Sequence, residues 1–152
     1  MKEIRTVIAV ATEAEKRLIR QERHAGAEIV VTGVGGTNVV ERLKGFDREA
    51  TRIVNYGYVG SPDLAIGTEV QVGRCSLFHV NCGYDEPVYR IGDSGVVCRT
   101  SCDFVLQGRK GEVYDMELAF ICALGFREVV SFKTVSDNCS YEEYVSTSGT
   151  VS

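Results

Sequence analysis

The run RTVIAVA at residues 5–11 constrains the fold of this chain more than any other stretch. It is rich in β-branched and small apolar side chains and shows no apolar–polar alternation, the pattern of a strand covered on both faces. Such strands belong to parallel sheets with helices on either side, and the following residues keep that rhythm. Thr12 offers an N-cap with Glu15 three residues on, the spacing of a capping box, opening a short helix to about Arg20. AEIVVTGVGG (27–36) predicts a second strand that breaks at Gly33, Gly35 and Gly36. TNVVERLKGF then predicts a helix with apolar Val39, Val40 and Leu43, closed by Gly45.

RIVNYGYVG (52–60) is a third strand ending in glycines. TEVQVG (68–73) and CSLFHV (75–80) read as a strand pair broken near Gly73, and the polar stretch 81–94, with Pro87, as loop. GVVCRTS (95–101) is another strand, and LQGRKGE (106–112) a turn. VYDMELAFICALGF (113–126) reads as a helix with Leu118, Phe120, Ile121 and Leu124 inward, closed by Gly125. EVVSFKTVSD (128–137) is a last strand, SYEEYV a short helix, and the Ser/Thr-rich residues 146–152 a loose end. Strands alternating with helices predict one α/β domain over residues 1–152, three layers around a mostly parallel mixed sheet.

Composition narrows the function classes. With 44% hydrophobic and 25% charged residues, a packed core is expected. A net charge of -4 and the absence of a basic run exclude the footprint of a nucleic-acid binder. No apolar stretch approaches the roughly 20 residues that span a bilayer, and the first residues, MKEIRTVIAVATEAEK, lack a signal-peptide cleavage pattern. We expect a cytoplasmic protein. Six cysteines (Cys75, Cys82, Cys98, Cys102, Cys122, Cys139) and two histidines (His24, His79) form no metal-ligand spacing, so reduced, partly buried thiols are expected.

In open α/β sheets, ligands bind beyond the carboxyl ends of the strands. The unusual residues of this chain collect there: Glu13 and Glu15 after the first strand, Gly33–Gly36 after the second, Gly57–Gly60 after the third, and Asp137 after the last. Each also has a plainer role. TGVGGTNV is neither GxGxxG nor a P-loop, and serves equally as a tight strand-to-helix turn. Gly57 and Gly60 suit a turn or a close approach. Asp137 suits a helix cap, Asp115 and Glu117 complement a helix dipole, and Met116 suits packing.

Taken in order, these pieces resemble the purine nucleoside phosphorylase and uridine phosphorylase superfamily, and within it a shortened 5'-methylthioadenosine/S-adenosylhomocysteine nucleosidase. VIAVATEAEKRLI is similar to that family's first strand and acidic loop, and VVTGVGGTNVV to its second strand and glycine turn. IVNYGYVGSPDLAIGTEVQV resembles its NTGSAGG…vGDvvv segment, and VVCRTSCDFV its SGDxF strand. EVYDMELAFICALGF resembles its vEMEaaaia helix start, and VVSFKTVSDN its RaiSD strand. The order holds over about residues 4–144, and the last two motifs are the most specific.

The resemblance implies a nucleoside phosphorylase-like fold and a small-molecule nucleoside substrate, with neither cofactor nor metal, in a homodimer. By it, Asp137 protonates or hydrogen-bonds the purine at N7, Glu117 holds ribose hydroxyls with Met116 packed beside the sugar, and Glu15 positions the attacking water. Phe104 stacks on the base, the backbone of Val105 reads its edge, and Tyr58, Val59 and Gly60 line the substrate. Tyr58 stands where the family carries a small serine or threonine, and Cys102 displaces the usual aspartate. The phosphorylase arginine of GDPxR is missing, and Asn55-Tyr56-Gly57-Tyr58 stands where an arginine and a serine are expected. The implied activity is therefore hydrolysis of a purine N-glycosidic bond, with a phosphorylase or a reduced, non-catalytic nucleoside-binding domain as alternatives.

Overall fold

A computed structural model of the chain describes residues 3–78 and 87–148. The sequence run that opened the analysis is β1 (Arg5–Val10). It lies between β2 (Glu28–Val31) and β3 (Thr51–Gly60), parallel to both. Val7, Val10, Ile53 and Val54 are fully buried, as a strand covered on both faces requires. β9 (Glu128–Asp137) runs parallel along the other edge of β3.

The remaining strands are β4 (Glu69–Gln71), β5 (Arg74–Leu77), β6 (Val88–Arg90), β7 (Val97–Thr100) and β8 (Glu112–Asp115). Among the described residues the sheet has nine strands in the order β2-β1-β3-β8-β7-β5-β6, with β9 on β3 and β4 on β9. It is mixed. β5, β7 and β8 are parallel neighbours, whereas β4–β9, β5–β6 and β3–β8 are antiparallel.

Helices cover both faces. α1 (Gly36–Leu43) and α2 (Leu118–Ala123) pack together on one, burying Val39, Leu43, Leu118 and Ile121 over β1, β3 and β9. The other face is closed by a 3-10 helix (Glu13–Leu18), whose Leu18 joins Ile8, Val54, Tyr56 and Phe132. α3 (Tyr141–Ser148) packs against β9. No described helix is long and apolar enough to cross a membrane.

Several local expectations are corrected. The stretch 113–126 is a strand, a bend and then a helix only from Leu118 to Ala123. Val113 and Tyr114 favour extended backbone, and β7 and Gly60 supply their ladder partners. β4 and β5 do not pair: β4 joins β9, while β5 joins β6 and β7. The stretch read as loop contains β6, a three-residue edge strand, while residues 79–86, with His79 and Cys82, lie outside the described residues. Residues 146–148 belong to α3 rather than a loose end, and residues 149–152 also lie outside the described residues.

β3 carries the feature that assembles a site. Its last residue, Gly60, pairs with Tyr114 of β8 on one edge and Asp137 of β9 on the other. The register slips by one residue between Val59 and Gly60, a β-bulge of the kind that re-aims side chains. There is little room at this junction. A Cβ on Gly60 would stand 3.0 Å from Asp137 Oδ2.

Candidate active site

The carboxyl ends of β1, β3, β8 and β9 enclose a cavity of about 290 Å3, near the lower limit for a small-ligand site. Glu15, Tyr58, Val59, Gly60, Phe104, Met116, Glu117 and Asp137 all line it, joined by Tyr114, Asp115, Ser136, Tyr141 and Tyr144. Val105 is the exception among the expected site residues: it lines a smaller adjoining recess with Gly60, Phe104 and Met116.

Glu15 both closes a capping box and lines the cavity. Thr12 Oγ1 accepts from the Glu15 amide at 3.3 Å, and Glu15 Oε1 accepts from the amides of Thr12 at 3.2 Å and Ala11 at 2.7 Å. This capping box turns the carboxylate inward, where Oε2 accepts from the Tyr58 amide at 2.9 Å. Burial pushes its pKa up, opposed by the Lys133 ammonium and these amides.

Lys133 was not among the expected site residues. It is 1% exposed on β9, and its Nζ donates to Asp115 Oδ2 at 3.1 Å. A Cβ on Gly57 would lie 3.0 Å from Lys133 Nζ and 3.2 Å from Glu15 Oε2, so a side chain there would press on both groups. The available sequence signal was a lysine inside an apolar strand, since a buried charge needs a partner. Asp115 supplies it. Its carboxylate also accepts from Thr100 Oγ1 at 2.5 Å and from the Leu118 amide at 2.8 Å, capping α2. Burial works against its charge, but Lys133 and these donors hold its pKa below the ordinary value.

Glu117 sits at the N-cap of α2 and is 8% exposed. Its Oε2 accepts from the Gly35 amide at 2.8 Å, where the backbone φ of +89° suits glycine. One amide of the glycine turn is thus committed to a carboxyl group of the site. Burial, then the neighbouring Asp115 and Glu15 carboxylates, push the Glu117 pKa up to about 8.

At the other end of the cavity, Asp137 is fully buried. Its carboxylate accepts from Ser136 Oγ at 2.7 Å and from the Ser140 amide at 3.1 Å. Burial raises its pKa despite these donors. Phe104 stands edge-on to Tyr141 at 5.5 Å and tilted to Tyr144 at 5.6 Å, so α3 forms an aromatic wall. Tyr58 extends to the rim, where its hydroxyl accepts from Arg17 Nε at 2.7 Å. Among the described residues no group of three or more His, Cys, Asp or Glu side chains is arranged to hold a metal ion.

No protein-family model and no curated protein matches the sequence. Solved structures do. The 5'-methylthioadenosine/S-adenosylhomocysteine nucleosidase of Helicobacter pylori superposes with a TM-score of 0.72 at 14% identity, covering 97% of this chain and 92% of that one. The chain has the nucleosidase fold. The S-adenosylhomocysteine nucleosidase of Streptococcus pyogenes gives a TM-score of 0.69 at 18% identity, over 98% of this chain and 90% of that one. Futalosine hydrolase of Helicobacter pylori gives 0.72 at 14%, over 95% and 90%. Chains this different in sequence can share one fold, because strand order and core burial tolerate wide substitution when the apolar pattern is kept.

Proposed function

We propose that this chain is a nucleosidase that hydrolyses the N-glycosidic bond of a purine nucleoside of the 5'-methylthioadenosine/S-adenosylhomocysteine type, releasing the free base. The observation that carries this reading is the convergence of Glu15, Glu117 and Asp137, from three distant segments, on one cavity with aromatic walls. A Helicobacter pylori nucleosidase of similar fold holds 5'-methylthioadenosine in its active site.

Cleavage builds oxocarbenium character on the sugar and negative charge on the base. The base lies against Phe104 and Val105 with N7 toward Asp137. Burial raises the Asp137 pKa, the direction that suits a proton donor to the departing base. Glu117 takes the ribose hydroxyls, with Met116 beside the sugar. Water at Glu15 attacks the anomeric carbon: the C–O bond forms, the C–N bond breaks with its electron pair going to the base, and Glu15 takes the water proton. Lys133 and Asp115 hold the charge around Glu15. The working protein is a cytoplasmic homodimer in this reading, checked by light scattering.

One observation favours a second reading, a nucleoside-binding domain without catalysis. Ser136 and Ser140 already engage Asp137, and backbone amides engage Glu15 on both oxygens, as structural caps would require. Base release separates the alternatives. With 5'-methylthioadenosine or adenosine, hydrolysis gives free adenine without phosphate, and Asp137→Asn removes it while the circular dichroism spectrum stays unchanged. Release only after phosphate addition indicates a phosphorylase. Binding across a panel of purine nucleosides with no base release indicates the binding domain.

A further inference from the structure

Away from the cavity, β5 and α2 bring two thiols together. Cys75 Sγ and Cys122 Sγ are 3.3 Å apart, although their residues are separated by 47 positions in the chain. Both residues are buried, and neither forms a disulfide. The other described cysteines are placed differently. Cys98 lies against Asp115, Cys102 is exposed, and Cys139 is buried near Asp137.

Cys122 lines a second, open cavity of about 470 Å3 with Tyr89, Ile91 and Phe126, whereas Cys75 lies behind it, fully buried. A small oxidant therefore reaches Cys122 first, and Cys75 waits at contact distance. From these positions we infer that Cys75 and Cys122 are a redox-modification site, an attacking and a resolving thiol that a peroxide converts into a disulfide joining β5 to α2.

The chemistry balances. The Cys122 sulfur attacks the peroxide; an S–O bond forms, the O–O bond breaks, and the departing hydroxide leaves as water with the proton given up by the Cys122 thiol. Cys75 sulfur then attacks the sulfenic sulfur; the S–S bond forms, the S–O bond breaks, and a second water leaves with the Cys75 proton. Two sulfurs lose one electron each and the peroxide gains both. Geometry asks little, since the sulfurs close by about 1.3 Å to disulfide distance. The contact with Cys122, then burial, push the Cys75 pKa up, and the order of attack rests on the cavity that only Cys122 lines. The site is separate from the proposed catalytic cavity and does not depend on its chemistry.

Graded hydrogen peroxide on the folded chain, followed by non-reducing peptide mapping, tests this. The expected product is one linked pair containing Cys75 and Cys122, lighter by two hydrogens, lost on dithiothreitol treatment and accompanied by a higher unfolding midpoint. In Cys75→Ala the resolving thiol is gone, and dimedone should label Cys122. Three results overturn the inference: both thiols intact once Cys102 is fully oxidised, a sulfinic acid at Cys122 without a link, or a Cys75–Cys98 disulfide instead. The mapping uses the unaltered chain, so it decides the matter even if the variant fails to fold.

Discussion

The Lys133 ammonium offsets the charge of Asp115, Glu117 and Glu15. It is buried beside Asp115, and removing one partner of a buried pair leaves an uncompensated charge. Lys133→Met should therefore destabilise the chain by about 3–5 kcal/mol in urea unfolding. Adding Asp115→Asn to that variant should recover much of the loss, which a merely steric role of Lys133 would not produce. Glu117 makes a prediction in pH. Its folded pKa, pushed up to about 8, exceeds the carboxylate value of the unfolded chain, so folding binds a proton between the two. The associated stability is fully present below the unfolded value and is lost as pH rises through the folded one. The unfolding midpoint should fall between about pH 5 and pH 9, and Glu117→Gln should flatten that slope. Asp115 acts oppositely, its contribution disappearing only as acid titrates it below its ordinary range.

Arg17 of the 3-10 helix reaches α3. It donates to the Tyr58 hydroxyl and, through Nη2, to the Thr147 carbonyl at 2.6 Å, tying the last turn of α3 across the cavity rim. An eight-residue helix has little stability of its own, so its order rests on such contacts and on the Phe104–Tyr141–Tyr144 wall. Arg17→Ala should speed amide exchange in α3 roughly tenfold while leaving β1, β3 and β9 protected. Between α1 and α2 the constraint is steric. A Cβ at Gly36 would stand 2.6 Å from the Phe120 ring, and Gly36→Ala should cost about 1–3 kcal/mol by chemical unfolding. The helix boundaries were legible where a cap is local, as at Thr12 and Glu15. They were not legible at 113–126, because β8 is extended only through its partners on β7 and at Gly60.

Across the whole molecule, the cavity belongs to no single segment. Residues from 11 to 144 line it, so a ligand that fits it holds the ends of β1, β3, β8 and β9 together. A bound nucleoside at a hundredfold its Kd should raise the unfolding free energy by about 2.7 kcal/mol. Scanning calorimetry with and without the nucleoside measures this, and under the proposed hydrolysis Asp137→Asn keeps the ligand intact during the scan. The same interleaving explains why the strand order could not be read from local pattern. β3 meets β1, β9 and β8 along its ten residues, and those neighbours come from both ends of the chain.

Sequence alone was enough for the class of fold and for singling out Glu15, Glu117 and Asp137 as candidates. Apolar runs without alternation declare a buried sheet. Local context, by contrast, made Glu15, Glu117 and Asp137 caps and helix-start charges, and only the resemblance of the motifs around them, taken in order, made them site candidates. Tertiary structure alone placed Lys133 against Asp115, turned the Gly35 amide onto Glu117, slipped the register at Gly60 and brought the sulfurs of Cys75 and Cys122 within contact. These are pairings across tens of residues. Burial makes their energies large, and sequence distance hides them until the sheet has closed.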